Sequence, residues 1–123
     1  MKKFIIPGHA KPKGRPRIIG KRAITPEPTR RWEEKVGWYA KHGGIQMIPK
    51  SEVLFTAKFY FSNRQHGDLS NLIKAIEDGL NWIAYKDDKQ IRRYGTGTGI
   101  YYCKGKKNER VEVEICELER AFR

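Results

Sequence analysis

The chain lacks any long hydrophobic run. In its 123 residues no apolar stretch approaches the roughly 20 residues that a bilayer-spanning helix requires. The opening Met1-Lys2-Lys3-Phe4-Ile5-Ile6-Pro7 has the charge of a signal peptide but too short an apolar core. The expectation is a soluble cytoplasmic protein with no membrane partner. Cysteine is scarce as well. Cys103 and Cys116 are far apart and form no CxxC pair, which excludes a zinc-finger pattern and leaves free thiols as the expectation in a reducing compartment. His9, His42 and His66 are scattered. No Ser-His-Asp or Cys-His arrangement can be argued from them, and the chain has no P-loop and no GxGxxG element.

Negative charge is also in short supply. Lys and Arg number 26 against 14 acidic residues, a net charge of +12. An excess of that size calls for a polyanionic partner, nucleic acid before any other. The length fits a single domain, residues 1–123, with one core.

Within it, residues 8–28 form a basic loop rich in Gly and Pro, centred on Lys11-Pro12-Lys13-Gly14-Arg15-Pro16-Arg17. Its prolines exclude a helix and keep the segment extended. A short hairpin is expected around Ile18-Ile19-Gly20-Lys21. A strand is expected from Lys3 to Pro7 and a helix from about Thr25–Thr29 to Gly43-Gly44. Residues 52–61 alternate as a strand, with Val53, Phe55, Ala57, Phe59 and Phe61 on one face.

Asp68 to Ile83 reads as the central helix, with Leu69, Leu72, Ile73, Ile76, Leu80 and Ile83 on the apolar side. Asp68, Asn71, Lys74, Ala75 and Asp78 fall opposite, and Glu77 is expected in solvent. Strands follow at Gln90–Tyr94, Ile100–Lys104 and Arg110–Leu118, with a hairpin turn at Lys104–Asn108. Trp32, Trp38 and Trp82 are expected in the core from their helix positions, with contact to nucleic-acid bases as the alternative.

The few acidic residues are concentrated. Asp68 opens Gly67-Asp68-Leu69-Ser70-Asn71-Leu72-Ile73-Lys74, and Asp87-Asp88 follows one helix later. Phosphodiester hydrolysis needs an activated water and a stabilised leaving oxygen, and Mg²⁺ held by one or two carboxylates supplies both. Lys74, on the same polar face as Asp68, would steady a phosphate or protonate the leaving oxygen. Plainer roles stand beside these. Asp68 suits a helix cap, Lys74 a solvated position, Asp87-Asp88 a turn, and Asp78 an i,i+4 pair with Lys74.

The order Gly67-Asp68-Leu69-Ser70-Asn71-Leu72-Ile73-Lys74, Asp78-Gly79-Leu80-Asn81, Tyr85-Lys86-Asp87-Asp88-Lys89-Gln90-Ile91 resembles the RusA family of Holliday junction resolvases. Lys11–Arg17 with Thr25-Pro26 resembles phage and prophage members, and the similarity runs from about Ile5 to Ile115. The resemblance implies an α+β fold with a small mixed sheet packed by two helices. It implies a homodimeric endonuclease that resolves four-way junction DNA by paired nicks, using Mg²⁺ or Mn²⁺ and no small-molecule cofactor.

Asp68, Lys74 and Asp88 take the catalytic positions by this resemblance. Asp68, Asp88 and Asp87 take the metal positions, with Ser70, Asn71 and Asp78 adjacent. Ser70 stands where the family has a second aspartate, so a junction-binding protein with weak cleavage is one alternative. A basic RNA-binding module is another. Lys11, Lys13, Arg15, Arg17, Arg92 and Arg93 are the DNA-binding candidates, with Lys104, Lys106 and Lys107 behind them.

Overall fold

The computed structural model describes residues 2–118, the Arg17 side chain excepted. The fold is α+β. Strands are β1 (Lys2–Pro7), β2 (Arg17–Ile19), β3 (Arg22–Ile24), β4 (Val53–Phe61), β5 (Ile91–Tyr94), β6 (Gly99–Tyr102) and β7 (Arg110–Glu117). Helix α1 spans Glu27–His42 and α2 spans Leu69–Gly79.

β4 is the centre of a five-stranded mixed sheet. β7 lies antiparallel on one side of it, with β1 beyond, and β5 and β6 lie parallel to it on the other. The expected hairpin between β6 and β7 is not there. The two strands flank β4 on opposite edges, so Lys104–Asn108 carries a crossover containing a 3₁₀ turn at Lys106–Asn108. β2 and β3 form the separate hairpin expected in the basic segment.

Alternation in β4 sends Val53, Phe55, Ala57, Phe59 and Phe61 inward, all fully buried. They meet Phe4 and Ile6 of β1, Val111, Val113 and Ile115 of β7, and the apolar faces of both helices. The opposite face is polar, with Lys58 opposite Glu112 in the strand register and the Arg110 guanidinium 4.0 Å from the Tyr60 ring centre.

Parallel strands need a long crossover, and α2 supplies it between β4 and β5. This places the start of α2 after the end of β4 and the Asp87-Asp88 turn just before β5. The two helices approach closely: a Cβ at Gly79 would lie 3.1 Å from the Glu33 carbonyl oxygen and from Val36 Cβ. That contact sets Glu33 beside the last turn of α2.

Three details depart from the sequence reading. α2 ends at Gly79, because the next backbone N–H groups turn back: Asn81 N–H bonds Asp78 O, and Ile83 and Ala84 N–H both bond Leu80 O. Ala75 is buried, packed into the core rather than on the polar side. Of the tryptophans only Trp32 is in the core. Trp38 is 52% exposed beside His42, and Trp82, past the end of α2, is 69% exposed. Both cysteines are free, as expected. No helix among the described residues is long and apolar enough to cross a membrane.

Candidate active site

Asp68 caps α2. Its Oδ1 accepts from Asn71 N–H at 2.9 Å and from Ser70 Oγ at 3.1 Å, and its Oδ2 accepts from Asn71 Nδ2 at 3.2 Å. Ser70 and Asn71 thus hold the carboxylate in one orientation. The side chain serves as a cap and remains exposed, so the two readings of Asp68 are compatible.

Lys74 lies six residues on, a rise of roughly 9 Å at 1.5 Å per residue. It makes no ion pair with Asp68. Its ammonium sits 3.1 Å from Asp78 Oδ1 and 3.1 Å from Asp88 Oδ2. Asp78 is shared: its Oδ2 lies 3.0 Å from Lys13 Nζ, which also reaches Glu33 Oε2 at 2.8 Å. The result is one alternating chain of charges, Glu33–Lys13–Asp78–Lys74–Asp88. It ties together the basic loop, both helices and the turn before β5.

Electrostatics follow from that alternation. Partial burial opposes a charge on Lys74, but the Asp78 and Asp88 carboxylates outweigh it and raise the pKa well above the ordinary lysine value. Lys13 is raised in the same way, against burial, by Glu33 and Asp78. Burial likewise opposes ionisation of Asp78, yet the two lysines lower its pKa.

Glu77 was expected in solvent and is only 8% exposed. Its backbone carbonyl accepts from Tyr85 Oη at 2.7 Å and its Oε2 accepts from Tyr94 Oη at 2.6 Å. Burial raises its pKa, against the Tyr94 hydrogen bond. The tyrosine is pushed up in turn, to about 12, first by burial and then by Glu77.

The remaining site candidates separate clearly. Asp87 caps the 3₁₀ turn Asp88–Gln90, accepting from Lys89 N–H at 2.8 Å, while its own N–H bonds Gln90 Oε1. Asp88, not Asp87, touches Lys74. Lys13 spends its charge on carboxylates, and its backbone N–H bonds Asn71 O at 2.9 Å, docking the basic loop on α2.

Gly67 permits that docking, since a Cβ there would lie 2.6 Å from Pro12 Cβ. Arg15 and Lys11 are exposed. Arg92 pairs with Glu52 at 3.3 Å. Arg93 lies on β5 and is exposed, and the Arg17 side chain falls outside the described residues.

Sequence reasoning missed Glu33 and Glu77. For Glu77 one signal was present: it follows Ile73 and Ile76 at the spacing of the buried face. Glu33 gave none, because its role depends on a helix crossing.

No group of three or more His, Cys, Asp or Glu side chains converges on a metal position among the described residues. Mg²⁺ needs only one or two protein carboxylates. A carboxylate offers about four lone-pair positions; Asp68 accepts three hydrogen bonds and Asp88 one from side chains. Both retain acceptor capacity, so the donor chemistry suits a hard cation completed by water and phosphate oxygens.

A mixed sheet crossed by a capped helix thus sets a lysine between two aspartates beside a basic loop. The profile of the endodeoxyribonuclease RusA family matches residues 7–116 of the 123. The chain belongs to that family, which is one of nucleases that resolve Holliday junctions. Its nucleases are generally dependent on divalent metal. No individual curated protein matches the chain.

Proposed function

We propose that the whole chain is one metal-dependent endonuclease domain that resolves four-way DNA junctions by paired symmetric nicks, as a cytoplasmic homodimer. The observation that carries this reading is Lys74, clamped between Asp78 and Asp88 in a protein of net charge +12. Asp68 and Asp88 would hold Mg²⁺ or Mn²⁺, with Asp87 beside them. Such an ion, when bound, supplies Lewis-acid polarisation of the phosphate and a more acidic water.

The chain's own groups do the rest. An ammonium has three donors, and two of Lys74's face aspartates. The third is left for a non-bridging or leaving oxygen of the scissile phosphate. Its raised pKa keeps the ammonium charged, so Lys74 acts as a fixed positive charge and hydrogen-bond donor to the phosphate, neither as base nor as proton source. Asp78 and Asp88 hold it in place, and Lys13 offsets the charge that Asp78 would otherwise present to DNA. Two such sites, related by a two-fold axis, match the two strands cut in a symmetric junction.

Ser70 supports a second reading. Its hydroxyl donates to Asp68 and brings no negative charge, which favours a junction-binding protein that cuts slowly. Two variants test the pair of readings on a labelled junction. Asp68→Asn is expected to abolish nicking and to spare or strengthen binding; loss of binding instead makes Asp68 purely structural. Ser70→Asp raises the rate strongly if the second reading holds and leaves it unchanged if the site is already complete.

A further inference from the structure

Between the basic loop and the outer flank of α1 lies a cavity of about 380 Å³, within the range of ligand pockets. Lys11 of the loop, Arg31 and Lys35 of α1, Trp32, His9 and Glu27 line it. Its charges do not balance. Arg31 pairs with Glu27 one turn back. Lys35 Nζ donates to the Pro7 carbonyl at 2.6 Å and lies 5.4 Å from the Trp32 ring centre, and neither partner neutralises it.

Lys11 is exposed and has no ion pair among the described residues. His9 is committed to Glu109, with its Nδ1 3.1 Å from Oε2. Trp32 is 4% exposed, and its indole N–H has no acceptor among the described residues. Two uncompensated ammoniums and an arginine around one cavity select an anion with several acceptor oxygens.

The cavity is separate from the lysine–carboxylate chain. Arg31 and Lys35 are four residues apart and share a flank of α1. Glu33, two residues from each, lies about 200° round the helix, where it holds Lys13 against α2.

We propose that this cavity is a second DNA-contact site, which takes a backbone phosphodiester of a junction arm away from the scissile strand. It rests on the reading of the chain as a junction nuclease and adds Arg31 and Lys35 to the DNA-binding set.

The test is the salt dependence of junction binding by wild type, Lys11→Gln, Lys35→Gln and the double variant. Each phosphate contact contributes about 0.9 to the slope of log K against log salt. With one phosphate in the cavity, the slope should fall by about 0.9 in the double variant and by no more than that in either single variant, with cleavage positions unchanged. A direct probe is the Trp32 indole N–H resonance, assigned by elimination with Trp38→Phe and Trp82→Phe. It should move on addition of junction DNA and stay in place with inorganic phosphate at matched ionic strength.

Unchanged slopes in all three variants overturn the proposal. So does a Trp32 signal that answers to inorganic phosphate and not to DNA, which would make this a small-anion site. Nicking is scored separately: a wild type that binds junctions and never nicks them contradicts the nuclease reading, while the slopes still decide the cavity.

Discussion

At the scale of single residues the proposed site rests on Lys74 and its two aspartates. Lys74→Met is expected to reduce the nicking rate by about 10²–10³-fold, the usual loss when one transition-state donor is removed. Lys74→Arg should restore part of it, because a cation remains. Equal rates for Lys74→Met and wild type would remove Lys74 from the chemistry.

Asp78 and two further carboxylates set a pH dependence of stability. Asp78, whose pKa is lowered from 3.8, contributes stability above that value that is lost as pH falls through its folded pKa. Glu109, lowered from 4.5 chiefly by the Ser62 N–H, behaves alike. Glu77, raised from 4.5, acts in the opposite sense: its contribution is present below that value and lost as pH rises through the folded pKa.

Asp78→Asn should therefore lower stability at neutral pH by about 1–3 kcal/mol and reduce the loss on acidification below about pH 4. Thermal melts of both proteins across pH check it, and parallel curves would contradict it. Asp68, Lys74 and Asp88 stood out in the sequence because they lie in one ordered motif, and the structure sets Lys74 against Asp88 and Asp78. Lys13 read as a DNA contact, since nothing in its neighbourhood announces Glu33 and Asp78, which reach it only through tertiary packing.

At the scale of elements, the site is assembled by α2 and by the loop docked on its first turn. Gly67→Ala would drive a Cβ into the rigid Pro12 ring. A destabilisation of about 1–3 kcal/mol is expected from such overpacking, with weakened junction binding as the loop lifts. An unchanged melting temperature would show that the loop yields freely.

The turn after α2 holds Trp82 at φ 68°, the one non-glycine with positive φ among the described residues. That conformation costs a non-glycine residue about 1–2 kcal/mol. Trp82→Gly should leave stability equal or higher in a denaturant titration, and a clear loss would show that the exposed ring carries packing energy.

Periodicity revealed α1, β4 and most of α2 correctly. It carried α2 on to Ile83 because Leu80 and Ile83 keep the helical spacing, although they are buried through a turn. It paired β6 with β7 because short polar connections ordinarily join hairpins. The sequence does not state that β4 has β7 on one edge and β6 on the other.

At the scale of the molecule, a charge of +12 is distributed so that some cations are committed and others are not. Lys13 and Lys74 are held by carboxylates; Arg15 has no ion pair among the described residues and faces solvent. Arg15→Ala should weaken junction binding and lower the salt slope by about 0.9 without moving the cut. Unchanged affinity would take Arg15 out of the interface.

The lysine–carboxylate chain beside the basic loop is expected to belong to an enzyme that cuts branched DNA. The most direct measurement is strand cleavage of an end-labelled synthetic four-way junction beside a linear duplex of the same sequence, with and without Mg²⁺. Metal-dependent nicks at symmetric positions, in the junction alone, are the expected result. Tight junction binding with no nicks at any metal concentration would contradict it.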